Sequence, residues 1–275
     1  MPLEKDRAVV IRTHRLGEAD RIITFCAARS GKVRAVGKGS RRAKSRLGAS
    51  LELFNIGDLV FYAKPNRDLH IITAFDVSEA VGSRLRDPFR VAYASYCAEL
   101  AGEFSLEGEE NAVLFGLLRD ALLAVERAAS LGELGRAARA LEMKLLTSEG
   151  YRPHLENCVV CGGLLSDRDV AMDVGAGGAL CDRHRSQGRP VIVARGTLLA
   201  ARQLAVLPFD GVGSVALTRR QAAELKRLLS LFLALRLEKP LRSAAYIEAL
   251  EKETTGEPAA LQPFVRKPHD LSGDY

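Results

Sequence analysis

The residues best placed to do chemistry are Cys158-x2-Cys161 and, after nineteen intervening residues, Cys181-x2-His184. Each pair can chelate from one tight turn, and thiolate and imidazole are the ligands that zinc prefers. Gly175, Gly177 and Gly178 between the pairs suit the folded-back hairpin that would bring them together. The expectation is one structural Zn2+ held by Cys158, Cys161, Cys181 and His184. Four protein ligands leave no open position for water, which argues against a zinc-dependent hydrolase. The ion would fix an otherwise coreless insert to the rest of the protein. His154 is a weaker candidate for the fourth ligand, and the competing reading is a set of unmetallated buried thiols beside a surface histidine. Cys26 and Cys97 fall on apolar faces and read as packing. Five cysteines, an odd number, with three in metal-type spacing, do not make a disulfide framework, and a reducing cytoplasm is the compartment they fit.

The second constellation is electrostatic. The formal net charge of +6 arises entirely within residues 1–80, while 81–275 is balanced. From 21 to 51 there are nine basic residues and no acidic one. Lys32, Arg34, Lys38, Arg41, Arg42, Lys44 and Arg46 are the candidate nucleic-acid contacts, interleaved with glycine and serine that keep backbone amides accessible. That mixture fits phosphate oxygens, which accept from both. The plainer alternative, a solvated loop, does not explain why like charges accumulate unopposed. Lys32 and Arg34 should alternate outward against inward Val33, Ala35 and Val36. Phe25, Phe61 and Tyr62 in the barrel strands read first as core, and if one of them is instead a base-stacking platform Tyr62 is the best candidate. The stretch from Gly31 to Ser40 is not a P-loop: five residues separate Gly31 from Gly37, and Gly39 follows Lys38 where a hydroxyl is needed. No catalytic signature is present.

The elements that must position these residues divide at residue 80. Before it, runs at 7–14, 21–27, 32–36, 59–62 and 69–75 are rich in β-branched and aromatic residues and bounded by turn signals. Five short strands suggest an OB-like barrel, with 37–54 as a polar connection. After it, Asp87-Pro88 opens a helix carrying Tyr93, Tyr96, Cys97, Leu100 and Phe104 on one face. Leu114 to Val125 repeats the pattern, as does Leu134 to Leu145, stopped at Gly150. Thr218 and Gln221 form a capping-box pattern ahead of Leu225, Leu228, Leu229 and Phe232. The fold class expected is α+β: a five-stranded OB-like barrel over 1–80, a helical bundle over 81–255 with a zinc-finger insert at 150–190, and a loose tail over 256–275. Arg195, Arg202, Arg219 and Arg220 could add a second cationic surface on the bundle. No apolar run approaches the roughly 18 residues of a membrane span, and the charged start of the chain is unlike a signal peptide.

Taken together, the strand Val9-Val10-Ile11-Arg12-Thr13 with Gly17-Glu18-Ala19-Asp20-Arg21, the segment from Gly31-Lys32 to Gly37-Lys38-Gly39, the stretch 47–54, Cys158-Val-Val-Cys161-Gly162 and Gly177-Gly178-Ala-Leu-Cys181 resemble the RecO family of bacterial recombination-mediator DNA repair proteins. Members of that family with this site commonly have a fourth cysteine where this chain has His184, an equivalent ligand. The resemblance implies a non-enzymatic, nucleoid-associated protein. Such proteins bind single- and double-stranded DNA without sequence preference, anneal complementary strands and help place RecA on DNA coated by single-stranded-DNA-binding protein, with RecR as partner. On the charge pattern alone, an RNA- or ribosome-associated binding module stays open.

Overall fold

The computed structural model describes residues 2–63, 68–186 and 189–255, the side chain of 255 excepted; the expected loose tail at 256–275 lies outside the described residues. Five strands close a barrel in the order β1-β2-β3-β5-β4: β1 (Leu3–Leu16), β2 (Asp20–Ala27), β3 (Gly31–Gly37), β4 (Ile56–Tyr62) and β5 (His70–Glu79). The pairings are antiparallel except β3 with β5, whose parallel contact closes the ring. β1 is long enough to serve two neighbours. Leu3 to Val9 pair with β4 and Ala8 to Leu16 with β2, the β2 register shifting between Val10 and Arg12. The strands overrun the stretches read from the sequence at Leu3, Ile56 and Glu79. These strand ends carry charged residues on the outer face, so their alternation reads as loop.

Ala8, Val10, Ile23, Phe25, Val33, Ala35, Leu59, Phe61, Ile72 and Phe75 fill the barrel. The 37–54 connection is not wholly polar: a short helix α1 (Arg46–Ser50) delivers Leu51, fully buried, into that same core. Val36 departs from the expected alternation. It shares the outer face of β3 with Lys32 and Arg34, yet it is buried there between Ile22 and Ile71 on the neighbouring strands.

Asp6 is a buried carboxylate that accepts from the backbone N–H of Arg29 at 3.0 Å and of Ser30 at 2.7 Å, pinning the β2–β3 turn. Asp6→Ala would orphan both donors and is expected to lower barrel stability by about 2 kcal/mol in urea denaturation. At the same turn Gly31 has φ +63, and a Cβ there would lie 2.2 Å from the Leu106 carbonyl oxygen. Lys32 N–H bonds that oxygen at 2.8 Å. The turn is therefore seated on the loop that follows α2 (Pro88–Phe104).

The outward-facing Val9, Cys26 and Ile56 join the core of the helical bundle, so barrel and bundle share apolar packing. The bundle comprises α2, α3 (Ala112–Arg127), α4 (Leu131–Ser148), α5 (Arg195–Val206), α6 (Arg219–Ala234) and α7 (Arg242–Thr255). The signals read for it are in place. Asp87 accepts from Phe89 N–H at the start of α2, and Thr218 with Gln221 forms a full capping box on α6. Gly150 ends α4 at φ +80.

Between α4 and α5 lies a three-stranded sheet of order β7-β6-β8, from β6 (Asp169–Asp173), β7 (Gly178–Leu180) and β8 (Val191–Ala194). This corrects the expectation of a coreless insert. Val170, Met172, Ala179, Leu180 and Val193 belong to the same apolar cluster as the helices.

Candidate metal centre and nucleic-acid interface

Two backbone knuckles present the cysteines. Gly162, at φ +70, returns its N–H to the Cys158 carbonyl at 2.8 Å, and Cys158 N–H bonds the Gly163 carbonyl at 2.8 Å. In the second knuckle, His184 N–H reaches the Cys181 carbonyl at 2.9 Å. The hairpin between β6 and β7 brings the knuckles together, turning at Gly177 with φ +83. Gly178 lies so close to His154 that a Cβ would sit 2.6 Å from the His154 carbonyl oxygen.

The ligand atoms of Cys158, Cys161, Cys181 and His184 all lie within 4.8 Å of one another. Cys161 and Cys181 sulfurs are 3.8 Å apart. His184 Nδ1 is 3.3 Å from the Cys181 sulfur and 3.6 Å from that of Cys158. A tetrahedral ion with metal–sulfur bonds of about 2.3 Å separates its sulfurs by about 3.8 Å, so the cluster is capable of coordinating a metal ion. At Cys158 burial works to raise the thiol pKa, but the backbone N–H groups of Cys181, Cys161 and Val160 outweigh it and bring the thiol down to about 6. Thiolate, the form that binds metal, is thereby favoured. His154 is not part of the cluster; its ring pairs with Asn157. Cys26 and Cys97 are packed, and burial pushes both thiols up to about 12.

The cationic residues occupy two places. Between β3 and α1, residues 38–45 form a loop stapled to the β1–β2 turn, with Arg46 opening α1. Gly39 N–H donates to Asp20 Oδ1 at 2.7 Å and Arg41 N–H to the Ala19 carbonyl at 2.9 Å. The Arg41 guanidinium donates to the carbonyls of Gly17 and Glu18 at 3.0 and 2.8 Å. Arg41 therefore holds the loop's shape. Lys38, Arg42, Lys44 and Arg46 are exposed, and no carboxylate among the described residues lies within ion-pair distance of them. Arg21 is engaged with Glu52 at 3.3 Å and Arg29 with Asp6 at 3.7 Å. Lys32 and Arg34 lie elsewhere, on the outer face of β3 in a cleft against α2. Sequence reasoning missed Arg12, His14 and Arg242, which line the same cleft. The register Arg12–Thr24–Arg34 that aligns them depends on the irregularity in β1.

Phe25 and Phe61 are sealed inside the barrel, while Tyr62 is 41% exposed on β4. Of the bundle arginines, Arg220 is paired with Glu224 at 2.7 Å and Asp169 at 3.6 Å, and Arg202 and Arg219 are exposed.

A small closed barrel with a cationic loop is set on a helical bundle that carries a Cys3His cluster. The family model Recombination protein O N terminal matches residues 1–81, and Recombination protein O C terminal matches residues 85–245. The chain belongs to the RecO family. Among its relatives, the DNA repair protein RecO of Moorella thermoacetica is 31% identical over 264 residues, covering 94% of this chain and 96% of its own length. That of Thermobifida fusca is 35% identical over 255 residues, covering 90% of this chain and 99% of its own.

Proposed function

We propose that this chain binds single- and double-stranded DNA without sequence preference, anneals complementary strands and assists RecA loading on DNA coated by single-stranded-DNA-binding protein, with RecR as partner. Membership of the RecO family makes the chain a DNA-repair recombination mediator and not an enzyme. The RNA- or ribosome-associated alternative finds no support, since both halves of the chain match the recombination family. Among the described residues no helix is long and apolar enough to cross a membrane.

The observation that carries the annealing role is the loop with four exposed cations, Lys38, Arg42, Lys44 and Arg46, which have no ion pair among the described residues, on a shape fixed by Arg41. Two strands repel each other until cations screen them, and a rigid cationic loop does this without ATP. Phosphate contacts carry no sequence information. The deciding measurement is strand annealing across a salt series. Annealing should fall steeply as salt rises, and a rate indifferent to salt would overturn the assignment.

The proposed role of the metal is structural: one Zn2+ on Cys158, Cys161, Cys181 and His184, tying two knuckles together. Because the insert shares the bundle's core, chelation is expected to expose the three cluster thiols to a thiol reagent and lower Tm while far-UV ellipticity is retained. Loss of most helicity on chelation would contradict this.

A further inference from the structure

The cleft between the barrel and the bundle, about 450 Å³ in volume, has an unusual charge inventory. Arg12, Lys32 and Arg34 reach it from the barrel and Arg242 from the start of α7. Arg12 and Arg34 each pair with Thr24 across β2, which places them about 10 Å apart on one face. Two carboxylates also line the cleft, and both are engaged. Glu99 accepts from the backbone N–H of Arg242 at 3.1 Å, that of Ser243 at 2.8 Å and the Ser243 hydroxyl, serving as the N-cap of α7. Glu103 faces Lys239 at 3.9 Å. Arg12 lies within electrostatic range of Glu99, but none of the four cations has a carboxylate within ion-pair distance among the described residues. Thr24 and Ser95 add hydroxyls, and Ile22, Leu53 and Ala98 an apolar floor.

We propose that this cleft is a second site for the sugar–phosphate backbone of an unpaired nucleic-acid strand, separate from the loop. The inference rests on the nucleic-acid reading above and deepens it. Guanidinium groups, an ammonium and hydroxyls together match phosphate oxygens. β2, at the centre of the barrel wall of the cleft, is flanked by β1 and β3 and so offers no free edge to which a peptide could add. β3 runs from the cleft into the loop, and the four residues from Arg34 to Lys38 span about 13 Å. One chain can thus hold two backbone segments side by side, the arrangement that annealing needs.

The test is a stoichiometric fluorescence titration of the full chain with an oligothymidine of about six nucleotides, at the short end of OB-fold site sizes. Wild type should take up two equivalents. Arg12→Ala/Arg34→Ala/Arg242→Ala should lose one, and Arg42→Ala/Lys44→Ala/Arg46→Ala should lose the other. All six side chains are exposed, so both variants should keep the wild-type Tm. Photocrosslinking of the oligonucleotide to peptides of β1, β3 and α7 gives a readout that does not depend on the variants. A cleft variant that still binds two equivalents, or crosslinks confined to the loop, would overturn the second site alone. No binding by wild type would overturn the nucleic-acid reading itself. An oligo-aspartate peptide that protects the cleft where oligothymidine does not would also overturn the proposal, assigning the cleft to acidic protein segments.

Discussion

Arg42→Glu/Lys44→Glu/Arg46→Glu is expected to weaken single-strand binding by about a hundredfold or more at low salt and to abolish annealing. The reasoning starts from counterions. Each phosphate neutralised by the protein contributes about −0.7 to the slope of log affinity against log salt on a single strand, so three lost contacts should flatten that slope by about 2. Reversal adds repulsion to the loss and enlarges the effect at low salt. The three side chains are exposed and make no ion pair among the described residues, so folding should survive and Tm should stay near the wild-type value. Unchanged affinity with an unchanged slope would remove the loop from the interface.

Arg41 is left out of that variant for a structural reason. Its guanidinium bonds two carbonyls of the β1–β2 turn, so a change there would release the loop as well as remove a charge. The sequence shows nine cations in a row without an acid, but it does not show which are free. The partners that engage three of them, the Gly17 and Glu18 carbonyls, Glu52 and Asp6, lie 23 to 31 residues away.

The same physics separates what was legible in the fold from what was not. Caps and stop signals are local: Asp87 with Pro88, the Thr218–Gln221 box and Gly150 act within a few residues of themselves and could be read directly. The Cys–x2–Cys and Cys–x2–His pairs are local too, and chelating geometry requires little else. α7 was not legible, because its cap is Glu99, more than 140 residues earlier on another helix. Nor was α5, which follows β8 directly with no side-chain cap at Ala194. The insert looked coreless because its strands are only three to five residues long. Too short to display a period, they still place Val170, Met172 and Val193 in the bundle's core. The cleft was hidden for a related reason: its cations come from β1, β3 and α7, and only the packing of the closed barrel against the bundle brings them to one cleft.

The largest effect on stability is expected far from either cationic surface, at Glu142 on α4. Glu142 is 1% exposed, accepts from the Tyr96 hydroxyl and pairs with Arg139 one turn earlier on the same helix. Burial drives its pKa up, while Arg139 and the hydrogen bonds from Tyr96 and Arg139 oppose the rise. The charge is tolerable only because those partners are there. Glu142→Ala removes the acceptor and strands Arg139, whose side chain is 11% exposed, as a buried cation beside Tyr93, Tyr96 and Cys97. Breaking one side of a buried pair typically costs about 3–5 kcal/mol, a large share of the stability of about 5–15 kcal/mol typical of a folded protein. Glu142→Gln retains an acceptor for the Tyr96 hydroxyl and should cost less than the alanine. Tyr96→Phe/Arg139→Met/Glu142→Leu removes both charges together with the hydroxyl that Glu142 satisfies and should recover most of the loss, since apolar replacements of buried pairs are often neutral or stabilising. The ordering wild type near the triple variant, then Gln, then Ala, read from urea midpoints at constant m-value, would establish that the pair is held by mutual compensation. An alanine variant within about 1 kcal/mol of wild type, the scale of a surface substitution or a single exposed ion pair, would show instead that water or repacking satisfies Arg139 without it.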